Sequence, residues 1–310
     1  MFLELKNLNI GYKTPLVNNT NAGLELGDVC LLIGNNGVGK TTLIKTILNQ
    51  IPTLSGSIAL QGKNIAHCSA QDIAEQIAVV FSKATIPLGY TVEDLIALGK
   101  YIHYPYYFEL NSEDKAEVTD LISQLNLSQY RHFPLQKLSD GNLQKAFIGR
   151  AFAQHSPLII LDEPTTHLDE DNKVMILKLL RDFAKKHHKI ILFSSHDWRL
   201  AKTFADKIWF IKGQKLYSGI AEDVLAAHEE LSHPLYFNDG DFQPPYIIAP
   251  DLQRELLLEF LQKHFQNNLS SFAFEWHSSQ WHLNFENKTH QAKNFEEILW
   301  WLKEKLEVRS

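Results

Sequence analysis

The sequence predicts an α/β fold in which buried parallel strands alternate with helices, and two observations lead to this prediction. Three runs are apolar throughout, as expected of strands that are buried on both faces of a parallel sheet, and they are residues 29–33, 157–161 and 190–193. The first run leads into a glycine-rich loop, and the helical segment 43–48 follows that loop. A strand, a glycine-rich loop and a helix in this order are typical of a phosphate-binding site.

The glycine-rich loop fits the pattern G-x-x-x-x-G-K-[ST]. Glycines let the backbone curl until successive N–H groups point at a phosphate, and the helix N-terminus adds a favourable dipole. Lys40 is expected to neutralise phosphate charge, and the Thr41 hydroxyl to bind Mg²⁺. The predicted phosphate-binding residues are Gly34, Asn35, Asn36, Gly37, Val38, Gly39, Lys40, Thr41 and Thr42. A chance match in a glycine-rich turn would not need the strand and the helix that flank it here.

Length and composition limit the class of protein. A chain of 310 residues favours one large domain and a smaller one. The formal net charge of −6 gives no reason to expect a nucleic-acid partner. Cys30 and Cys68 lack a metal-binding spacing and are interpreted as reduced thiols of a cytosolic protein. No signal peptide is expected, and no apolar run approaches the roughly 20 residues of a membrane helix, so any action at a membrane would require a partner.

The elements before and after the loop follow the same alternation. Short strands are predicted within residues 2–10 and 14–33, and strands again at 55–62 and 77–81, with a short helix at 69–75. Tyr12 follows the first strand. It is either a half-buried aromatic residue at a strand end or a platform for a nucleotide base.

A helix-rich insert at about residues 85–150 interrupts this alternation. Its apolar residues recur at helical spacing, for example Val92, Leu95 and Ile96. The insert also carries an aromatic run, residues 101–108, whose rings belong either to a core or to a docking surface. The motif L-S-D-G-N at 138–142 ends the insert and is followed by a predicted helix, 143–154.

Polar residues follow two of the buried strands directly. Asp162 and Glu163 come after the run 157–161, and His196 comes shortly after the run 190–193. Ligands of open parallel sheets bind at the carboxyl ends of the strands, so these side chains are expected at one site. Asp169 is predicted to start a long amphipathic helix.

These residues together resemble the ATP-binding-cassette (ABC) ATPases over about residues 1–228. The resemblance rests on five motifs in the family's order: the phosphate loop, the signature 138–142, the acidic strand 158–163, the turn 166–169 and His196. It implies a P-loop NTPase of the ABC type, with a RecA-like mixed sheet and a helical subdomain. It also implies that Tyr12 stacks on adenine.

The resemblance further implies a division of roles for ATP hydrolysis. Lys40 contacts the phosphates, Thr41 binds Mg²⁺ directly and Asp162 binds it through the hydration shell. Glu163 polarises the attacking water and His196 contacts the γ-phosphate. Ser139 and Gly141 of one subunit contact the ATP held by the other, so hydrolysis requires a head-to-tail homodimer.

Residues 91–103 look like the helix and loop of ATPases that drive importers of iron siderophores, haem and vitamin B12. This similarity implies a peripheral subunit at the cytoplasmic face of the inner membrane, bound to integral-membrane permease subunits and served indirectly by a substrate-binding protein. An ABC exporter ATPase is an alternative. A soluble, non-transport ABC ATPase is the other, although the insert has no long heptad repeat and the chain holds only one cassette.

Three features depart from the family pattern. Asp140 and Asn142 replace a glycine and a glutamine of the usual signature, whereas Ser139 and Gly141 are retained. Ser82 stands where the family has a glutamine near the metal, and we expect the shorter side chain to contribute to the Mg²⁺ shell only weakly, through water.

The third departure is the C-terminal extension. We predict an ABC ATPase domain at 1–230 and an α/β accessory domain at 231–310. The latter would contain a helix after Asp251 with apolar residues Leu252, Leu256, Phe260 and Leu261, a hairpin at about 272–285 and a last helix from Asn294. Its role is either regulation or dimer contact, as in some importer ATPases, or stabilisation as a lid.

Overall fold

A six-stranded sheet lies at the centre of the first of two structural units, Met1–Val224 and Leu225–Ser310. The structure is a computed structural model that describes residues 1–82, 86, 88–104, 109–195, 198–228, 231, 242–265, 268–286 and 288–307. In this part of the chain, no helix combines the length and the apolar character that a membrane span needs.

The first unit alternates strands and helices as the sequence predicts. Its strands are β1 (Leu3–Gly11), β2 (Pro15–Leu24), β3 (Val29–Gly34), β4 (Ser55–Leu60), β5 (Lys63–Asn64), β6 (Ile77–Val80), β7 (Leu158–Leu161), β8 (Ile190–Ser194), β9 (Lys207–Lys212) and β10 (Lys215–Ile220). Its helices are α1 (Lys40–Ile47), α2 (Ala70–Gln76), α3 (Val92–Ala97), α4 (Ser112–Gln124), α5 (Asp140–Ala153), α6 (Glu170–His187) and α7 (Trp198–Ala201), and α8 (Ala221–Ala227) spans the unit boundary.

The central sheet has the strand order β10-β9-β3-β8-β7-β6. The five strands from β9 to β6 pair in parallel, and β10 pairs with β9 antiparallel. Strands β7 and β8 are buried over their whole lengths, which explains why their sequences are apolar without alternation. The predicted α/β fold is therefore confirmed.

A second sheet packs against the same core. It has the order β2-β1-β4-β5 and is antiparallel. Leu5 of β1, Leu32 of β3 and Ile44 of α1 belong to one cluster of buried residues. This packing fixes the start of α1 against both sheets, and α1 begins at the glycine-rich loop.

The helical insert contains α3, α4 and α5, each capped by a polar side chain. Thr91 and Asp94 form a capping box at the start of α3, and Asn111 caps α4. The predicted start of α5 at residue 143 is wrong. Ser139 accepts a hydrogen bond from the Asn142 N–H, so the helix begins at Asp140, and residues 140–142 of the signature lie in its first turn.

The aromatic run of the insert is described only in part, because residues 105–108 lie outside the described residues. The Tyr104 hydroxyl donates to the Asp114 carboxylate and accepts a hydrogen bond of 3.1 Å from the Asn111 N–H. Tyr104 thus has polar partners inside the insert. The hypothesis of a docking surface along the run stays a prediction.

The second unit is a small α/β structure. Its elements are β11 (Tyr246–Ile248), α9 (Asp251–His264), β12 (Ala273–His277), β13 (Gln280–Phe285), β14 (Lys288–Ala292) and α10 (Phe295–Glu307). The sheet order is β11-β12-β13-β14, with β11 parallel to β12 and the other pairs antiparallel. The predicted hairpin is confirmed: β12 and β13 are joined at Ser278 and Ser279, whose φ angles of 50° and 63° suit a two-residue turn.

Of the two helices of this unit, α10 starts as predicted, whereas α9 differs from the prediction. The Asn294 side chain accepts the Glu297 N–H at 2.9 Å, which confirms the predicted capped start of α10. The predicted apolar face of α9 is wrong in part: Leu252 and Leu256 are exposed, whereas Leu257 and Leu261 are buried. Asp251 is not the cap either. It is the first residue of α9, and Pro250 precedes it without a side-chain hydrogen bond.

We predict that a chain ending at Glu230 folds and binds ATP as tightly as the full chain. Each unit has its own cluster of buried apolar residues, and all nucleotide motifs lie before residue 230. Circular dichroism on heating and equilibrium binding of a fluorescent ATP analogue would test this. An insoluble or unfolded product would show that the second unit is part of the core of the first.

Candidate functional site

Three neighbouring strands of the central sheet end at the candidate site. Strand β8 lies between β3 and β7, and all three are parallel, so their carboxyl ends share one edge of the sheet. Gly34 is the last residue of β3 and Ser194 the last of β8, while Asp162 directly follows β7. Residues separated by more than 120 positions in the sequence therefore meet at this edge.

The glycine-rich loop connects β3 to α1 in the way its sequence predicts. Gly39 precedes α1 with a φ of 115°, which favours glycine, and no side chain caps the helix. Among the described residues, no side chain accepts a hydrogen bond from the first N–H groups of α1. Amide groups at a helix start in this arrangement form an anion-binding position.

Lys40 is buried at the start of α1. Its ammonium group donates to the carbonyl oxygens of Gly34, at 2.7 Å, and of Asn35, at 3.2 Å. Burial lowers the pKa of Lys40, and the nearby charges of Glu163 and Asp162 oppose this shift. The positive charge is therefore held against the loop, beside two carboxylates.

The Asp162 carboxylate is fixed through both of its oxygens. Thr41 Oγ1 donates to Oδ2 at 3.1 Å, and Ser194 Oγ donates to Oδ1 at 2.7 Å. Asp162 and Ser194 are both buried. The structure thus brings the predicted metal-binding residues Thr41 and Asp162 into direct contact.

Glu163 lies beside this cluster in a strained backbone conformation. Its φ is 56°, a value that is uncommon for a residue other than glycine. The Glu163 N–H donates to Ser194 Oγ at 2.9 Å, and Thr166 Oγ1 donates to Glu163 Oε2 at 3.2 Å. Ser194 thus holds the backbone of Glu163, and Thr166 holds its side chain.

Ser194 is the site residue that the sequence analysis did not single out. Its hydroxyl joins Asp162 and Glu163, because it donates to the first and accepts from the second. The available signal was a serine that directly follows four apolar residues of a buried strand. We expect a polar group in that position to have partners, since an unpaired buried hydroxyl is costly.

The remaining predicted residues lie outside this cluster. Tyr12 follows β1 and is 65% exposed, so its ring face is accessible. Ser139 and Gly141 lie in the helical insert, and no hydrogen bond between described residues joins them to the loop or to Asp162. A Cβ on Gly141 would lie 3.1 Å from Asn172 Oδ1 of α6, so close packing also favours glycine there.

His196 lies outside the described residues, and its contact with a γ-phosphate stays a prediction. Ser195, which precedes it, is buried, and its N–H donates to the Leu32 carbonyl at 3.4 Å. Ser82 is exposed, two residues beyond the end of β6.

We expect replacement of Ser82 by alanine to reduce ATP turnover less than about tenfold, which corresponds to less than about 1.4 kcal/mol. A serine hydroxyl on Cβ has a shorter reach than a glutamine amide, so any contribution to the metal shell would pass through water. Steady-state hydrolysis at saturating Mg²⁺ would measure the effect. A loss of a hundredfold would make Ser82 a direct ligand.

Comparison with known proteins gives consistent matches. The family described as ABC transporter matches residues 17–166. The iron(3+)-hydroxamate import ATP-binding protein FhuC of Bacillus subtilis is 33% identical over 225 residues, which are 72% of this chain and 84% of that protein. The petrobactin import ATP-binding protein FpuC of Bacillus anthracis is 34% identical over 218 residues, covering 70% and 80% of the two chains.

Solved structures show the same fold. The dimeric structure of the ATP-binding cassette MJ0796, in a post-hydrolysis state with ADP and phosphate, superposes with a TM-score of 0.61 at 21% identity. The superposition covers 71% of this chain and 98% of that one.

Proposed function

The chain belongs to the ABC transporter family of ATP-binding proteins, and from this premise we propose that it hydrolyses ATP to power a membrane importer of iron–siderophore, haem or cobalamin-type metal chelates. The observation that carries the catalytic part is the contact of Thr41, Asp162 and Ser194 beside the buried Lys40. These groups provide one cation and several oxygen ligands at the start of a helix, which is the chemistry that a nucleoside triphosphate with Mg²⁺ requires.

The residues of the cluster suit distinct steps of phosphoryl transfer to water. The N–H groups of the loop and Lys40 would bind the phosphates, and Tyr12 would stack on adenine. Glu163, oriented by Ser194 and Thr166, would accept the proton of the attacking water. His196 would contact the γ-phosphate.

The donor set of the site fits Mg²⁺. The Thr41 hydroxyl and the Asp162 carboxylate lie 3.1 Å apart, and hard oxygen ligands of this kind are those that Mg²⁺ takes. Thr41 would hold the ion directly, Asp162 through the hydration shell and Ser82 weakly. When bound, the ion would neutralise negative charge that develops on the phosphate oxygens.

Ser139 and Gly141 support a head-to-tail homodimer. Ser139 caps α5 and Gly141 lies in its first turn, where the N–H groups of a helix start can meet a phosphate, and no hydrogen bond between described residues joins either of them to the loop of their own subunit. A second copy would bring its α5 to this loop. The solved structure of MJ0796, which is dimeric with ADP and phosphate, supports a dimer of this fold.

The proposed cargo is supported by the named relatives, which are ATP-binding proteins of iron(3+)-hydroxamate and petrobactin import. The chain would be a peripheral subunit at the cytoplasmic face of the inner membrane, bound to permease subunits and served indirectly by a substrate-binding protein. Aromatic residues of the run 101–108, including Tyr104 and Tyr107, would contribute to the permease contact, although Tyr107 lies outside the described residues.

The proposal is tested by reconstitution with a candidate importer permease from the same organism. We expect the two to copurify from detergent, and ferric siderophore with its binding protein to raise ATP turnover in liposomes. A chain carrying Glu163→Gln is the control, because it should copurify without turnover. Copurification with an exporter would favour the exporter alternative. Hydrolysis by a soluble dimer with no membrane partner would favour a non-transport ATPase.

A further inference from the structure

The second unit contains a cavity of about 390 Å³ between strand β14 and helix α10. A cavity of this volume is large enough for a small organic molecule. It is lined by Phe285, Glu286, Lys288, Thr289, His290, Trp301 and Lys305. None of these residues belongs to the nucleotide site, which lies in the first unit.

The sequence of β14 explains why this space is open. Lys288 is opposite Phe285 in the sheet and His290 is opposite Leu283, so both polar residues point to the face that carries the apolar core. At these two positions β14 contributes polar side chains instead of apolar ones that would fill the space. The last inward residue, Ala292, is small and buried.

The cavity is lined by aromatic side chains and by charged groups of both signs. The His290 ring stacks on Trp301, with centroids 6.1 Å apart and an angle of 9° between the planes. Lys305 follows Trp301 by one turn of α10 and forms an ion pair of 3.0 Å with Glu304. Lys288 is exposed, and no described residue forms a salt bridge with it. Glu304 offsets the charge of Lys305 and Glu286 is the one lining carboxylate, so Lys288 is the lining cation without a described ion pair.

We propose that this cavity binds a small aromatic carboxylate. Its ring would pack on the partly exposed ring of His290, which itself stacks on Trp301, and its carboxylate would lie between Lys288 and Lys305. Stacking supplies an orientation for a flat ring, and the lysines favour an anion over a neutral molecule of the same shape. This role is independent of the proposed importer function, because it concerns only residues of the second unit.

Another interpretation of Lys288 and His290 is protection of the edge strand. β14 lies at the edge of its sheet, and inward-pointing polar residues on such strands prevent pairing with other chains. This interpretation predicts association of the protein when the lysines are removed. It predicts no selective binding.

The test uses the full chain and two probes of equal shape, 1-naphthoate and the neutral 1-naphthamide, in isothermal titration calorimetry with saturating ATP present. We expect one saturable site for naphthoate and at least about tenfold weaker binding of the amide. The double variant Lys288→Gln/Lys305→Gln should bind naphthoate at least about tenfold more weakly. The control Lys303→Gln removes an exposed charge of α10 outside the cavity and should change the affinity less than twofold.

Replacement of Trp301 would risk the core, so His290→Ala serves as the second variant and should also weaken binding. The proposal is overturned if naphthoate shows no saturable binding or if the amide binds equally well. Equal losses for Lys303→Gln and for the double variant would overturn it too. The proposal is also overturned if the double variant associates in light scattering while its naphthoate affinity is unchanged. Edge protection predicts this result.

Discussion

Replacement of Glu163 by glutamine is expected to slow ATP hydrolysis at least about a hundredfold while ATP binding remains intact. The amide keeps the shape of the side chain and can still accept the hydrogen bond from Thr166, but it cannot take a proton from water. Lys40, Thr41 and Asp162 are unchanged in this variant. The loss should therefore appear in kcat.

The same variant should accumulate as a dimer in the presence of ATP, since hydrolysis is the step proposed to open it. Size-exclusion chromatography with light scattering, with and without ATP, would measure this. Glu75→Gln is the matched control, because Glu75 is an exposed residue of α2 outside the candidate site. Near-normal turnover of the Glu163 variant would remove Glu163 from the role of base.

The parts of the site that the sequence predicts correctly are those in which local chemistry decides the structure. The loop at 34–42 needs left-handed backbone at Gly37 and Gly39, with φ angles of 79° and 115°, and its helix begins at Lys40. The strands β7 and β8 are buried along their full lengths and are therefore visible as uninterrupted apolar runs. Local pattern and final structure agree in these segments.

Ser194 shows what the sequence does not show. Its contact with Asp162 joins residues 32 positions apart and depends on the strand order, which places β8 directly beside β7. Periodicity reports whether a strand is buried, but not which strand is its neighbour. Because a serine after an apolar run is also compatible with a turn, the role of Ser194 became clear only from the sheet.

The helix α9 shows a second limit. Its leucines follow two adjacent stripes, Leu252 with Leu256 and Leu257 with Leu261, and both have helical spacing. Tertiary packing against Phe274 and Trp301 decides that the second stripe is buried. The spacing of apolar residues could not distinguish the two faces, because each repeats every four residues.

Replacement of Ser194 by alanine is expected to lower ATP turnover by about tenfold to a hundredfold, or roughly 1.4 to 2.7 kcal/mol. The hydroxyl is fully buried, so its loss leaves the Glu163 N–H and one Asp162 oxygen without this partner. Of the two hydroxyl groups described as contacting Asp162, only that of Thr41 would remain. Glu163 would lose the hydrogen bond that fixes its backbone. Both carboxylates remain, so nucleotide binding should change little.

A matched control separates this effect from simple loss of stability. Ser156 is also buried, and its hydroxyl likewise accepts one hydrogen bond, from Gln154, and donates one, to the Ala74 carbonyl. Ser156→Ala should therefore lower the melting temperature to a similar extent without changing turnover per folded molecule. The Ser194 variant should additionally need more Mg²⁺ for half-maximal turnover, because the orientation of Asp162 is less fixed. Equal turnover and equal Mg²⁺ dependence of the two variants would show that the Ser194 hydroxyl contributes to folding only.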